Sequence, residues 1–449
     1  MRPPSTYDKN PTIPISSSAA ECAVGWHSVA ERLGNSRPPI LCVECYPGVR
    51  VEEVERALSV AIAPRQVFRA GDCLKPAAEL DRMLTPFLTD DPVFGRMNGL
   101  RIEDFMDPAR LALAREKIGR SPGLTLVIGT GAALLAPQVD GLVYADLARW
   151  EIQQRQRRNE IPNLGATNHD ELASLKYKLA FFVDWRAADR LKKQLFARID
   201  FLLDTNDRYT PRLISGALFR RALEALVERP FRLVPFFDPG PLGGEWMRKV
   251  CDLPAEAPNY AWCFDCVTEE NSLRLGFGGE SVEIPAFDLV FFHPRKLLGE
   301  AVHARFGTEF PIRFDFLDTM QGGNLSLQVH PLTEYIQDQF GMNYTQDESY
   351  YLGFVYDQVR ARRGLAWYTR LDVDGGIDWH RNPHYQAGEL CIGPPRDYGD
   401  LGLDQNSTPI YLQFERNSAA LQWISDLALR KENWLDFVPC LANGSNNRA

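Results

Sequence analysis

The sequence lacks a hydrophobic run long enough to cross a membrane, and it lacks an excess of positive charge. Its best apolar stretch, 124–137, contains Gly129 and Gly131 and is shorter than the roughly 20 apolar residues of a membrane helix. Lys and Arg number 50 against 59 Asp and Glu, which gives a formal charge of -9. This charge argues against nucleic acid or an anionic membrane as a partner, whereas a few local cations can still bind a small anionic substrate.

Cysteine is scarce as well, with 9 residues in a chain of 449. An odd number in a chain of this size argues against a disulfide framework. The beginning is rich in Ser and Pro and has no apolar stretch typical of a signal peptide, so residues 1–34 are predicted to be a loose tail. Hydrophobic residues at 45% and charged residues at 24% are ordinary for globular proteins. We expect a soluble, cytoplasmic protein with reduced thiols.

Short apolar runs alternate with amphipathic segments before residue 230. The predicted strands are 40–43, 124–128 and 141–145, and the predicted helices are 51–63, 170–182, 185–203 and 211–228. Thr210-Pro211 is typical of a helix start, and Arg229-Pro230 is typical of a helix end. Strands separated by helices favour an α/β layer with a parallel sheet, which we assign to residues 35–229.

The pattern becomes strand-rich after residue 230. A cluster of Pro and Gly follows there, and we place the domain boundary near 229–240. Alternating apolar residues on both sides of Gly278-Gly279 predict a β-hairpin. Further predicted strands are 289–292, 312–317, 325–330 and 350–356. Many short strands with turn signals favour a sandwich or barrel. The predicted fold class is therefore α+β multidomain, with residues 235–449 as the second domain.

The predicted strand 325–330 carries a candidate metal site. Gln328 and His330 lie two residues apart on one face, because successive side chains of a strand point to opposite faces. Glu348 stands at the start of the next predicted strand. An amide oxygen, an imidazole nitrogen and a carboxylate oxygen suit zinc or another borderline divalent ion. On spacing alone, a polar strand face with a hydrogen-bonded histidine is the simpler explanation.

Several segments together resemble the type I mannose-6-phosphate isomerases, which are zinc enzymes of the cupin fold. Segment 325–331 looks like the signature strand of that family, and 310–318 is similar to the strand that leads into it. The other similar segments are the helical piece 297–300, the Gly-Gly segment 243–246, and Glu348 with the aromatic pair Tyr350-Tyr351. The resemblance covers 235–356 and, more loosely, 409–439.

This resemblance implies a jelly-roll β-barrel and names Gln328, His330 and Glu348 as ligands of one Zn²⁺ per chain. It implies that the chain interconverts mannose 6-phosphate and fructose 6-phosphate by metal-assisted enediol proton transfer, as part of carbohydrate metabolism. The partner would be a small phosphorylated sugar. It leaves the catalytic residues and the oligomeric state unassigned.

The chain departs from the family pattern around the metal site. The family's fourth ligand, a histidine in a downstream turn, has no counterpart, since only His380 and His384 follow His330. Both lie in 357–408, which has the composition of an insertion. A lysine of the family, two residues before the ligand Glu, is Gln346 here. Because the downstream turn with the fourth ligand is missing, we expect the cupin domain to lack its C-terminal end. The alternative function is a catalytically impaired sugar-phosphate-binding or regulatory cupin module.

The N-terminal half carries a second resemblance. Residues 40–49 are similar to the first strand and phosphate loop of nucleoside-kinase-like P-loop proteins. A working loop needs Gly-x-x-x-x-Gly-Lys-Ser/Thr, but this segment has one glycine and no lysine. A basic segment after strand 141–145 resembles a helix of the same proteins, and its residues are Asp146, Arg149, Trp150, Arg155, Arg157 and Arg158. A solvated charged helix is the alternative. We expect a kinase-like shape without ATP hydrolysis, with a role in packing or regulation.

Two Cys-x-x-Cys pairs occur, at Cys42/Cys45 and at Cys263/Cys266. Such pairs can share a zinc ion, but these two are far apart in the sequence. Both lie in apolar, strand-like runs. Buried free thiols are therefore the favoured interpretation.

Overall fold

The computed structural model describes residues 4–36, 38–320, 322, 332–345, 389–392 and 410–413, the last two ranges as backbone. The described chain divides into two compact units. The larger unit contains residues 5–237 and 263–316. The smaller one contains Pro4, 238–262 and the described residues from 317 onward. Residues 263–316, which the sequence prediction placed in the C-terminal domain, thus belong to the larger unit.

The described strands are β1 Thr12–Ile15, β2 Ala23–Val24, β3 Ile40–Cys45, β4 Gln66–Arg69, β5 Thr125–Gly129, β6 Gly141–Asp146, β7 Phe201–Asp204, β8 Arg212–Ser215, β9 Phe236–Asp238, β10 Trp262–Cys266, β11 Ser272–Phe277, β12 Glu280–Pro285, β13 Phe314–Leu317, β14 Glu389–Ile392 and β15 Ile410–Gln413. The described α-helices are α1 Gly25–Ser36, α2 Val51–Ile62, α3 Ala77–Leu88, α4 Ile102–Phe105, α5 Pro108–Gly119, α6 Ala132–Leu135, α7 Arg149–Arg157, α8 Ala173–Leu179, α9 Trp185–Leu195, α10 Gly216–Leu226, α11 Trp246–Val250, α12 Phe287–Phe292, α13 Pro294–Phe306 and α14 Thr333–Phe340.

A seven-stranded sheet of order β2-β8-β7-β6-β3-β5-β4 forms the centre of the larger unit. The pairs from β4 across to β7 are parallel, whereas β8 and β2 add antiparallel strands at one end. β5 and β6 are buried along their whole length, which explains their continuous apolar sequences. The predicted α/β layer with a parallel sheet is confirmed, as are its three predicted strands.

The strand order creates a crevice at the carboxyl ends of β3 and β6. From β3 the chain goes to β4, two positions away on one side, and β5 fills the gap between them. It then continues to β6 and β7 on the other side of β3. The connections that leave β3 and β6 thus run in opposite directions. In open α/β sheets this is where ligands bind.

Two predicted helices contain strands of the sheet. The prediction for 185–203 is correct only to Leu195, because Phe201–Asp204 pairs with β6. The prediction for 211–228 is wrong at its start, because Arg212–Ser215 pairs with β7. Ser215 ends that strand and caps α10, since its Oγ accepts a hydrogen bond from the Leu218 N–H at 3.1 Å.

Two other predictions are corrected by local geometry. The predicted helix 170–182 is α8 followed by a π-helical turn, Ala180–Asp184, that leads directly into α9. The predicted strand 289–292 is instead part of α12, in which Phe287 stacks on Phe291 at a ring distance of 5.1 Å. A short apolar run suits a buried helix as well as a strand, so its periodicity could not decide between them.

The N-terminal segment is ordered rather than a loose tail. β1 adds in parallel to β11, and its Ile13 and Ile15 are buried. Val29 and Leu33 on α1 are also buried in the core of the larger unit. The predicted hairpin is confirmed: β11 and β12 pair through a turn at Gly278 and Gly279, both with positive φ.

The remaining sheets are small. β1-β11-β12 and β13-β10-β9 have three strands each, and β14 pairs with β15. The predicted strand 312–317 is confirmed over Phe314–Leu317. The described chain is therefore a mixed α/β structure with several sheets, and its described strands do not close into a barrel. No described helix combines the length and apolarity needed to cross a membrane.

Candidate functional site

The predicted zinc ligands Gln328, His330 and Glu348 lie outside the described residues, and so do His380 and His384. Within the described ranges, no cluster of three or more His, Cys, Asp or Glu side chains could hold a metal ion. The structure therefore describes the segment that leads toward the predicted ligands, but not the ligands themselves.

Asp318 joins two of the segments on which the isomerase resemblance depends. Its backbone C=O accepts a hydrogen bond from the Gly244 N–H at 2.8 Å, so the last residue of segment 310–318 lies beside the glycine pair. Its carboxylate accepts from the Met247 N–H at 2.7 Å and from the Met320 N–H at 2.9 Å. Asp318 is 2% exposed, and burial raises its pKa although these N–H groups favour the charged form.

The Gly-Gly pair is required by the close packing at this junction. A Cβ at Gly244 would lie 2.3 Å from Asp318 Oδ1, and one at Gly243 would lie 1.9 Å from Asn259 Oδ1. The Asn259 side chain is itself fixed, since it accepts from the Gly240 N–H at 3.0 Å and donates to the Gly240 C=O at 2.9 Å. We call the residues 240–247, 259–261 and 318–320 the Asp318 junction.

The connection from β3 to α2 is a short turn at the crevice. The Tyr46 N–H donates to the Ala145 C=O at 2.9 Å, and the Val49 N–H donates to the Tyr46 C=O at 3.0 Å. Gly48 has φ +111°, and its C=O accepts from Arg155 Nη1 at 2.9 Å. These two N–H groups of the turn thus donate to backbone carbonyls, whereas the N–H groups of a phosphate loop donate to the ligand.

Arg149 fills the crevice beyond this turn. Its Nη2 donates to both carboxylate oxygens of Asp189, at 2.7 and 2.6 Å, and Tyr46 donates its O–H to the same carboxylate at 2.9 Å. The guanidinium also lies over the rings of Trp185 and Phe287, at 5.1 and 5.0 Å. Although burial alone would lower its pKa, the neighbouring Asp189 carboxylate raises the pKa of Arg149.

A second ion cluster adjoins the first. Lys192 Nζ contacts Asp146 Oδ2 at 2.5 Å and also forms an ion pair with Asp288 Oδ1. Lys192 is 1% exposed and both aspartates are fully buried. The same ammonium lies 5.3 Å from the ring centres of Tyr46 and Tyr144. The two clusters occupy the crevice with protein side chains.

The alternative of a solvated charged helix holds only for the C-terminal end of α7, where Arg157 and Arg158 are exposed. Arg149 and Arg155 are buried, at 1% and 0% exposure. Arg155 donates to the C=O groups of Gly48, Thr205 and Asn206, at 2.9, 2.5 and 3.2 Å. These arginines therefore hold the loops at the crevice together, and they are not available to a phosphate.

The Cys-x-x-Cys pairs lie on separate strands, β3 and β10, and none of their cysteines forms a disulfide. Cys42 and Cys45 are completely buried, and burial raises the pKa of both thiols far above the ordinary value. Zinc binding needs thiolates, which this environment disfavours.

Glu44, Asp189, Lys192 and Asp288 are the site residues that sequence reasoning missed. Glu44 is 2% exposed and accepts hydrogen bonds from the N–H groups of Gly131 and Ala133, at 2.7 and 2.8 Å. Burial raises the pKa of Glu44 to about 8 despite these donors. The sequence signal for Glu44 is that it is an acidic residue inside an otherwise apolar strand, which indicates a buried carboxyl group.

Comparison with known proteins gives one family. Residues 25–228 match the model of a family described as Domain of unknown function (DUF8485). The matched segment lies within the larger unit, extends from the start of α1 past the end of α10, and is less than half of the 449 residues. No curated protein matches the chain.

Proposed function

We propose that this chain is a mannose-6-phosphate isomerase-like protein. Its C-terminal region would be a cupin domain that interconverts mannose 6-phosphate and fructose 6-phosphate. The larger unit would be a non-catalytic, kinase-shaped scaffold for that domain. The protein would be cytoplasmic and would act on a small phosphorylated sugar.

The Asp318 junction is the observation that carries this proposal. Segments 243–246 and 310–318 were both quoted for the resemblance, and they are separated by more than sixty residues of sequence. In the structure Asp318, the last residue of the second segment, is hydrogen-bonded to Gly244 of the first, and its buried carboxylate fixes the loop that begins with the two glycines. This contact supports the interpretation of the two segments as parts of one motif.

The donor chemistry fits zinc. Gln328, His330 and Glu348 would supply one amide oxygen, one imidazole nitrogen and one carboxylate oxygen. When bound, the metal would polarise the sugar oxygens as the proton moves between adjacent carbons through an enediol. These three residues would hold the metal, and a set of three protein ligands is typical of catalytic zinc sites, which also bind water or substrate.

The closed crevice supports a scaffold role for the larger unit. Nucleoside kinases need a cavity for nucleotide phosphates at the carboxyl ends of the strands. In the described structure that place holds Arg149 and Lys192, each in contact with buried carboxylates. Opening the crevice to a nucleotide would break these buried pairs. The loss of one partner from such a pair destabilises a protein by about 3–5 kcal/mol.

A coupled assay of fructose 6-phosphate formation from mannose 6-phosphate tests the proposal. The purified full chain should turn over when supplied with Zn²⁺, and His330→Ala should reduce the rate at least about 100-fold, since loss of a ligand weakens metal binding. His27→Ala is the matched control, because His27 is an exposed residue on α1. It should keep the wild-type rate.

The alternative is a catalytically impaired module that binds the sugar phosphate. Gln346 favours it, because the family's lysine at that position supplies a cation and a proton donor that Gln cannot provide. Titration calorimetry with mannose 6-phosphate separates the two functions. Binding without turnover supports the impaired module, whereas neither binding nor turnover contradicts both.

A further inference from the structure

The buried cluster at the end of β6 has an uneven charge. Three carboxylates, of Asp146, Asp189 and Asp288, face the two cations Lys192 and Arg149. All five residues are at most 5% exposed. If every group were ionised, the cluster would carry one uncompensated negative charge away from water, which is costly.

Two of the carboxylates are short of hydrogen-bond donors. Asp146 Oδ1 is buried and has no hydrogen-bond partner among the described residues, and neither oxygen of Asp288 receives a well-directed hydrogen bond there. Both carboxylates contact the same ammonium, Lys192 Nζ, so the two acidic groups are neighbours in the buried cluster. A proton on one of them would donate to the other and would satisfy both.

We propose that Asp146 and Asp288 share one proton in the folded protein at neutral pH and form, with Lys192, a proton-dependent latch between β6 and α12. Asp146 ends β6, Lys192 projects from α9, and Asp288 lies on α12. The latch therefore joins three elements that are distant in sequence. The proposal is independent of the isomerase activity.

The charged and titratable groups that face the latch are consistent with a retained proton. They are Tyr144 on β6, Tyr46 after β3, Arg149 on α7, and Lys192 and Asp189 on α9. Burial, opposed by the Lys192 charge and reinforced by the Asp146 charge, raises the pKa of Asp288 to about 8. An unfolded aspartate loses its proton near pH 3.9.

The sign of the pH effect follows from this difference. Between the unfolded pKa and about 8 the folded protein holds a proton that the unfolded chain has released. The latch therefore stabilises the fold fully in acid and loses this contribution as the pH rises to about 8. Above that pH, the folded and unfolded states bind equal numbers of protons at this site, and the effect levels off.

Urea unfolding of wild type and Asp288→Asn between pH 5.5 and about 9 tests the latch. An amide donates a hydrogen bond to Asp146 without titrating, so Asp288→Asn should fold. The wild-type unfolding constant should increase relative to that of the variant, by up to about tenfold per pH unit, until about pH 8. Asp81→Asn, an exposed substitution on α3, should follow the wild type.

Asp146→Asn is the second variant, because the amide of an Asn at position 146 can donate a hydrogen bond to Asp288 without titrating. It should remove the same pH dependence. Identical pH profiles for wild type and both variants would overturn the proposal. So would failure of both variants to fold, because a shared proton is replaced by an amide N–H without leaving a buried group unpaired.

Discussion

Arg149 and Asp189 form the central ion pair of the sheet's carboxyl edge. Both oxygens of the carboxylate lie within 2.7 Å of one guanidinium nitrogen, and the pair connects α7 to α9. Because Arg149 also donates to the Glu269 C=O at 3.2 Å, it holds the turn before β11 as well. The strand order around this crevice is typical of a ligand-binding site, but here the crevice is filled by side chains that stabilise the fold.

Replacing Arg149 by Met should destabilise the protein by about 3–5 kcal/mol, because Asp189 is left as an uncompensated buried charge. Chemical denaturation monitored by Trp fluorescence is suitable, since Trp185 lies against Arg149 and is completely buried. Arg120→Met is the control: Arg120 forms an exposed i,i+4 pair with Glu116, and its loss should have no measurable effect. Equal stabilities of the two variants would contradict the assigned role of Arg149.

Replacing Gly48 by Ala should cost about 2–4 kcal/mol. The residue has φ +111°, and an added Cβ would lie 2.8 Å from Ile152 Cγ1. Gly279→Ala separates the two causes, because Gly279 has φ +105° but open space around the added carbon. It should cost about 1–2 kcal/mol in urea unfolding. If the two variants lost equal stability, contact with Ile152 would not constrain the β3–α2 turn.

Glu44 should make stability depend on pH. The folded protein keeps the Glu44 proton up to about pH 8, whereas an unfolded glutamate loses it near 4.3. The folded state thus binds more protons over this interval, and stability falls as the pH rises through it. Glu44→Gln does not titrate, so the advantage of wild type over this variant should shrink steadily from pH 5 to about 8. Parallel stability curves for the two proteins would refute the buried, protonated glutamate.

Asp318→Ala should weaken the Asp318 junction by about 2–4 kcal/mol, because the N–H groups of Met247 and Met320 lose their acceptor. Asp318→Asn keeps one acceptor oxygen and should show about half of this loss. Zinc retained after dialysis, measured by mass spectrometry, should fall in the same order if the junction supports the predicted ligands. Unchanged unfolding in Asp318→Ala would show that the junction contributes nothing to stability.

The sheet could be predicted where apolar runs are bounded by turns. β3, β5 and β6 are continuous apolar segments, so their sequences indicate buried parallel strands directly. β7 and β8 were missed because each has four residues and adjoins an amphipathic helix. Pairing with a neighbouring strand, which no local pattern reports, decides the structure there.

The ion clusters could not be predicted, for a different reason. Asp146, Lys192 and Asp288 come from three distant segments, and each occupies a sequence that fits an ordinary helix or strand end. Their role depends on burial and on contact, which spacing does not encode. The reverse holds for the predicted zinc ligands. The sequence motif identifies Gln328, His330 and Glu348, but they lie outside the described residues and remain predictions.

The initial rate of fructose 6-phosphate formation, measured on the chelated protein before and after addition of Zn²⁺, is the most direct test of the isomerase proposal. We predict that wild type regains turnover with Zn²⁺ and that His330→Ala does not, while His27→Ala behaves as wild type. Absence of turnover in zinc-loaded wild type, or equal rates in wild type and His330→Ala, would contradict it.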